Sequence, residues 1–435
     1  MIPKGRLPYI LSLILTLLLL LTNTALFAQK DKEEDEVDEK DEFAELIEDA
    51  VLRPGFFDSY EKDDHLYLII PEDRLGEEFL LTSEIARGIG SSFLNGGLML
   101  NIFFGAQLVA FEKHSGKVFL VQLPVNYTAD GGSAAALAVD LTFGSSVLQS
   151  AEVEAGPGDS VLVIDTYGWF VSDFSNIGSF VRNAVSTKPG KPGSASFDKD
   201  RSFLESVESF EDNVNIIAKL TFKPGEPVSL RGVPDSRYIP LSIHYGLVKL
   251  PETLMRPRLG DDRVGYFLTV QKNFSEDDRT FFLRYINKWR LECADEPAQD
   301  GLCGPAKPVT YYIDKTVPEE YRQAMIDGVE AYIPAFEAAG FRNAIRAELL
   351  PDSANPADIR YATLRWNTSD VPAYGAIGPS VQDPRTGETL DADLLFEASM
   401  IIGIKNGWRR LVDPATSMQA MLEASPAELA GLALG

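Results

Sequence analysis

Three histidines, two cysteines and one closely spaced pair of aspartates are the residues through which this 435-residue chain could do chemistry. His65, His114 and His244 fall in three separate stretches, two strand-like and one turn-like. Metal or general-base work asks for several such groups on one short element, and no HExxH helix, paired Cys-x-x-Cys, Walker loop or G-x-S-x-G elbow occurs. GIGSSF, residues 88–93, starts like a dinucleotide loop but has Phe93 where the third glycine belongs. Asp391 and Asp393 in ETLDADLLF share one face of an alternating strand and could pass protons as a carboxylate pair. In so acidic a chain the same spacing also describes a solvated sheet face. No catalytic residue and no metal ligand is assigned on this basis. Cys293 and Cys303, in CADEPAQDGLC, lack the two further ligands of a zinc site, and in an oxidising compartment they close a polar loop as a disulfide.

The formal charge is −25, from 65 acidic and 40 basic side chains. Such a balance repels phosphate backbones and anionic lipid surfaces, which excludes nucleic-acid binding as a class. Lys4 and Arg6 precede the apolar run Leu7 to Leu21, followed by TNT and the small-residue stretch ending at Ala28. This is the layout of a secretory signal peptide over residues 1–28, and it predicts an exported protein, periplasmic, on the outer surface or secreted. The run is shorter than the ~20 apolar residues of a membrane span, so no stable membrane insertion is expected after cleavage. Residues 29–50 contain KDKEEDEVDEKDE and read as a solvated acidic linker.

Residues 51–305 are dominated by strand patterns: HLYLIIP (65–71), EFLLTSEIA (78–86), QLVAFEK (107–113), KVFLVQLP (117–124), SVLVIDTYGWF (160–170), VNIIAKLTF (214–222) and IPLSIHYGLVKLP (239–251). HSG at 114–116 joins the middle pair as a hairpin. STKPGKPGSASF, 186–197, marks an internal break. After the cysteine loop the pattern changes to strand (307–314), a long helix from Pro318 to Gly340 kinked at Pro334, and three strands at 343–350, 358–366 and 388–396. At the end, SPAELAGLALG has a hydroxyl cap at Ser425, proline at the first helical position and Glu428 three residues beyond the cap, so a helix is expected from Pro426.

PVTYYIDKTVPEEYR, AFEAAGF (335–341), DIRYATLRW and above all GPSVQDPRTGETLDADLLF (378–396) resemble the N-terminal subdomain of a metzincin-like zinc peptidase. The likeness is to bacterial secreted zinc-dependent metalloproteases whose long N-terminal region consists of domains of unknown function. FFDSYEKDDHLYLIIPEDRLGEEFLL, DKDRSFLESVESFEDNVNI and HYGLVKLPETLMRPRLGDDRVGYF extend it over almost everything after residue 50. The resemblance implies an α+β fold, with an extended antiparallel β-rich region over 51–305 and an incomplete peptidase subdomain over 306–435. It also implies zinc as the cofactor of the full-length family and a peptide or protein as substrate. By resemblance the strand ETLDADLLF is a sheet edge above the active-site cleft, and Thr389, Leu390, Asp391, Ala392 and Asp393 pair their backbone with an extended peptide. A loop covering that edge is the other arrangement the sequence allows. The family's next helix carries HExxHxxGxxH. SPAELAGLAL looks like its first turns, and the sequence stops before the first ligand, so this chain is expected to hold no catalytic zinc. An acidic, non-catalytic peptide-binding envelope protein is the alternative reading.

Overall fold

The computed structural model describes residues 42–90, 94–100, 106–158, 160–275, 281–372 and 374–411. The expected signal peptide and the helix from Pro426 lie outside the described residues.

Branched and aromatic runs bounded by turns over residues 51–249 produce one large antiparallel sheet. In chain order its strands are β1 (Val51–Arg53), β2 (Ser59–Lys62), β3 (His65–Pro71), β4 (Phe79–Arg87), β5 (Gln107–His114), β6 (Lys117–Gln122), β8 (Ser146–Glu154), β9 (Val161–Asp165), β10 (Ala195–Phe197), β11 (Phe203–Ser209), β12 (Asn213–Pro224) and β13 (Ile239–Lys249), with the two-residue β7 (Tyr127–Thr128) lying elsewhere. They are arranged β1-β2-β3-β9-β8-β6-β5-β4-β13-β12-β10, and β11 also pairs with β12. The β5–β6 hairpin turns at Ser115 and Gly116, both with positive φ, as a two-residue turn requires. The sheet is nearly closed into a barrel: Phe56 N–H donates to Phe210 C=O at 2.8 Å, bringing the segment after β1 to the end of β11. Glycine at 55 permits that approach, since a Cβ there would lie 2.6 Å from the Phe210 oxygen.

Inside, Phe57, Phe79 and Phe111 are fully buried with ring centroids 5.0 to 5.4 Å apart. Each such side chain contributes about 2 to 3 kcal/mol through removal of apolar surface from water. The helix Ile177–Ala184 adds Ile177 and Val181 to this core. Two expectations are corrected here. Tyr167–Phe170, read as the end of a strand, forms one helical turn once Asp165 Oδ1 accepts the Tyr167 N–H at 3.0 Å. The Pro/Gly-rich stretch 186–197 is no break in the sheet, because its last three residues are β10 and pair with β12.

The remaining strands make three smaller sheets. β14 (Leu268–Asn273) and β15 (Phe282–Ile286) join β7; β16 (Lys288–Trp289), β21 (Ser380–Asp383) and β22 (Glu388–Ala392) form a second. The third holds β17 (Val309–Ile313), β18 (Ile345–Leu349), β19 (Ala362–Asn367), β20 (Ala376–Ile377) and β23 (Leu394–Glu397) in the order β18-β17-β19-β23-β20, parallel except for β20. Parallel neighbours need a crossover, and the segment from Glu319 to Ala338 supplies it between β17 and β18. It is two helices, Glu319–Glu330 and Ile333–Ala338, with Pro334 in the first turn of the second, where its missing N–H costs nothing. The strand expected over 358–366 starts only at Ala362, because Asp358 folds Asp358–Tyr361 into a turn by accepting the Arg360 N–H at 3.1 Å.

ETLDADLLF is not one strand along a sheet edge. Its first half is β22, the middle strand of the second small sheet; its second half is β23, interior to the third between β19 and β20. The change of sheet falls at Asp393, whose Oδ1 accepts both the Thr363 backbone N–H (2.8 Å) and the Thr363 hydroxyl (2.6 Å), taking the place of a ladder bond. Immediately after β23 comes a helix the pattern did not disclose, Ala398–Leu411.

Candidate functional site

β22 stands between two different environments. On one side it has β21, from Ser380 opposite Ala392 to Asp383 opposite Glu388, with a bulge at Leu390 where the register shifts between Val381 and Gln382. On the other, β16 pairs with Glu388 and Thr389 alone, through Lys288 and Trp289. Asp391 and Ala392 therefore have a strand neighbour on one side only, and Leu390, between them and Thr389, is a bulged residue with no register partner. Of the five residues placed on a peptide-binding edge, Thr389 is paired on both sides, Asp391 and Ala392 on one, Leu390 is bulged out of the pairing, and Asp393 belongs to neither strand.

Thr389 and Leu390 line a cleft of about 710 Å³. Its other walls come from the end of β13 and the residues after it (Val248 to Thr253), from Trp289 and Arg290, and from Val309 and Thr310 at the start of β17. Trp289 contributes an aromatic ring that meets Tyr311 edge-on at 6.4 Å. Arg290 is fixed by a two-pronged contact with Glu388, Nε to Oε1 at 2.7 Å and Nη2 to Oε2 at 2.5 Å, and by the Thr253 carbonyl at 2.6 Å. That clamp ties the chain after β13 to the start of β22 and holds the cleft's shape.

Asp391 and Asp393 instead border a polar cavity of about 60 Å³, together with Glu84, Asn213, Asn215, His244 and Arg365. Here the large sheet meets the C-terminal sheets. Asn213 and Asn215 each donate from Nδ2 to the Ala357 carbonyl, at 3.0 and 2.5 Å. This orients Asn215 so that its Oδ1 faces His244 Nε2 at 2.8 Å, while His244 Nδ1 lies 3.0 Å from Glu84 Oε1. Arg365 donates to Asp393 Oδ2 (2.8 Å), the Pro356 carbonyl (2.7 Å) and the Thr363 hydroxyl (2.7 Å).

Burial and charge sort the acids of this seam. Burial opposes ionisation of Glu84, but His244 and Arg365 outweigh it and hold its carboxyl below the usual range. Burial raises Asp393 despite Arg365 and Thr363. Asp391 rises well above the ordinary carboxylate range, through burial and then through the neighbouring charge of Asp393, and its Oδ1 is buried with no hydrogen-bond partner. The seam thus pushes the two aspartates and the glutamate in opposite directions. A cavity this small has room for a few waters and none for a peptide, so its chemistry is that of an internal lock.

The three histidines stay apart. His65 Nδ1 contacts Asp165 Oδ2 at 2.7 Å and its ring stacks on Tyr67; His114 contacts Glu112 at 3.2 Å in the β5–β6 turn; His244 sits in the seam. Among the described residues no group of three or more His, Cys, Asp or Glu side chains is placed to hold a metal ion. The residues described do not fit zinc, and no step through it is derived. Cys293 and Cys303 form a disulfide with Cα atoms 5.5 Å apart, and Cys303 C=O accepts the Arg342 N–H at 2.8 Å, fastening the loop beside β18.

Glu84, Asn213, Asn215 and Arg365 were not singled out by motif. The available signal was a polar residue inside an apolar strand run: the glutamate in LLTSEIA, the asparagines in NVNIIA, the arginine in ATLRW.

In class, then, the molecule is a β-rich chain whose large, nearly closed sheet is joined by a polar seam to a helix-bearing parallel sheet. Residues 103–294 match the model of a family described as a domain of unknown function (DUF5117), and residues 40–88 match another so described (DUF5118). No curated protein and no solved structure matches the chain. The two matches cover the large sheet and one wall of the cleft; β22 lies beyond them.

Proposed function

We propose that this chain binds an extended peptide by strand addition along Leu390–Ala392, as an exported protein of the kind its sequence resembles, the secreted zinc-dependent metalloproteases. The observation that carries the reading is that Asp391 and Ala392 pair with β21 alone, while Leu390, the bulged residue before them, lines a 710 Å³ cleft. A strand unpaired on one side offers backbone N–H and C=O groups to a further strand, and a peptide laid there continues the line of β16 beyond Trp289. Backbone pairing supplies affinity with little regard for sequence; the cleft walls supply the preference. Peptide-bond hydrolysis by zinc-activated water belongs to the resemblance and is assigned to none of the residues described.

The test uses purified chain and a fluorescent extended peptide of about eight residues, measured by anisotropy. N-methylation of alternate amides removes donors from one peptide edge at a time. Strand addition is expected to lose roughly tenfold or more in affinity when the amides of one edge are methylated and little when those of the other edge are, since each lost buried hydrogen bond costs about 1 kcal/mol or more. Equal, small effects of methylating either edge would rule strand addition out.

A further inference from the structure

We propose that the peptide taken by this cleft is anchored by a carboxylate, which Lys307 and Arg346 hold; the inference rests on the strand-addition reading and names its ligand class.

The chain as a whole repels anions, with 65 acids to 40 bases. The cleft does not follow that balance: against Asp212, Glu252 and Glu388 its walls carry Lys249, Arg290, Lys307, Arg346 and Arg360. Three of these are already matched. Arg290 is clamped by Glu388, Arg360 by Asp358 at 2.7 Å, and Lys249 stands 3.9 Å from Asp212. Two retain capacity. Lys307 is exposed and makes no ion pair or hydrogen bond among the described residues. Arg346 uses only Nε, toward Thr310 Oγ1 (3.1 Å) and Glu348 Oε1 (3.0 Å), and its side chain is about half exposed. Its two Nη groups keep four N–H donors in the planar fork that matches a carboxylate.

The fold puts both on the same side of the cleft. Lys307 precedes β17 by two residues, and Arg346 is the register partner of Thr310 within β17 and β18. Thr310, Arg346 and Lys307 line the cleft together with Thr389 and Leu390 of β22. A peptide lying along β22 therefore passes a pair of cations with unused donors, in a molecule whose remaining surface turns anions away. Discrimination arises from that contrast: an anionic peptide is steered to this one place, and a neutral peptide gains only the backbone pairing.

The carboxylate has two sources, an acidic side chain or a peptide C-terminus, and the test separates them. Three peptides of one length are titrated by anisotropy against the full chain: one amidated with a central Glu, one amidated with Gln in its place, and one neutral with a free C-terminus. The same set, with a Lys-bearing peptide added, is run against a K307E/R346E double variant, whose fold is checked by circular dichroism. The expected result is that at least one carboxylate-bearing peptide binds roughly tenfold or more tightly than the neutral amide, and that the advantage shrinks as salt is raised from 50 to 500 mM. In the double variant that advantage disappears and the Lys-bearing peptide becomes the best ligand. The Glu peptide or the free-terminus peptide, whichever leads, names the source. Equal affinity of charged and neutral peptides for the native chain would overturn the anchor while leaving strand addition standing. Absence of binding by every peptide would overturn both.

Discussion

In the large sheet Phe57, Phe79 and Phe111 close on one another with no more than 1% of their surface exposed; in the C-terminal sheet the corresponding layer is Tyr321 stacked on Trp366 at 5.1 Å, with Met325 and Phe396 beside it, all only partly buried. The first sheet curls until its ends meet, so each apolar face finds a partner within the sheet itself. The second lies open on a groove of about 580 Å³ between Glu319–Ala338 and Ala398–Leu411, and the helix that flanks it leaves Ile402, Ile404 and Trp408 about 60% exposed. The difference teaches where rigidity and where adaptability reside. A scaffold that is complete by itself holds one wall of the cleft, and a looser unit carries β22 and the cations opposite it. The polar seam around Arg365 is what transmits the scaffold's order to the looser unit.

The largest expected effect breaks the contrast at its strongest point. Phe79→Ala removes a ring packed on three others and is expected to cost about 3 to 5 kcal/mol, whereas Trp366→Ala, at a partly open site, is expected to cost about 1 to 2 kcal/mol. Urea unfolding of the two variants measures the difference, and equal losses would erase the distinction between the two cores.

Next in size is the seam. Arg365→Met leaves Asp393 and Glu84 without their cation and three hydrogen bonds without a donor. Because about a quarter of the side chain is exposed, the expected loss is about 2 to 3 kcal/mol, below the value for a sealed pair. The same change should speed proteolysis of residues 306–411 more than of the large sheet; uniform cleavage would mean that the seam does not couple the two.

The smallest effect concerns pH. A carboxyl raised in the folded state gives its full contribution to stability below its unfolded value, and that contribution is lost as pH rises through the folded value. Asp391 is such a group, so Asp391→Asn is expected to stabilise the chain by about 1 kcal/mol at pH 8 and to change little at pH 4. Glu84 runs the other way: held low by His244 and Arg365, it contributes above the usual carboxylate range and loses that contribution on acidification. Thermal melts of Asp391→Asn at the two pH values separate the two acids, and a gain at pH 4 equal to that at pH 8 would contradict the assignment to Asp391.

Much of the scaffold was legible from residue pattern alone, for a physical reason. β3, β5, β12 and β13 are rich in branched and aromatic side chains and bury one or both faces, so each shows as an apolar run bounded by turns, as in HLYLIIP or IPLSIHYGLVK. β8, SVLQSAEVE, has two neighbours in the sheet but small and polar side chains, and no pattern announced it. The helix Ala398–Leu411 holds Gly403 and Gly407, which weaken helix propensity, and is supported instead by contacts such as Lys405 Nζ on the Tyr321 hydroxyl at 2.5 Å. ETLDADLLF alternates from Thr389 to Leu394 and reads as one strand, and the capture of Thr363 by Asp393, thirty residues distant in the chain, marks where it splits. The site shows the same limit. Asp391 and Asp393 stood out as a pair, but the burial that raises them and the charges of Arg365 and Glu84 that act on them come from β19, β4 and the packing of the two sheets, which meet only in the fold.

Hydrogen exchange at the amides of β22 tests strand addition most directly. The chain is labelled in deuterated buffer with and without saturating carboxylate-bearing peptide, and exchange is read by mass spectrometry on fragments spanning 386–395. Slowed exchange confined to Leu390–Ala392 and the adjoining cleft residues is the expected result. Protection that instead falls on the groove around Tyr321 and Trp366, with Leu390–Ala392 unchanged, would contradict it.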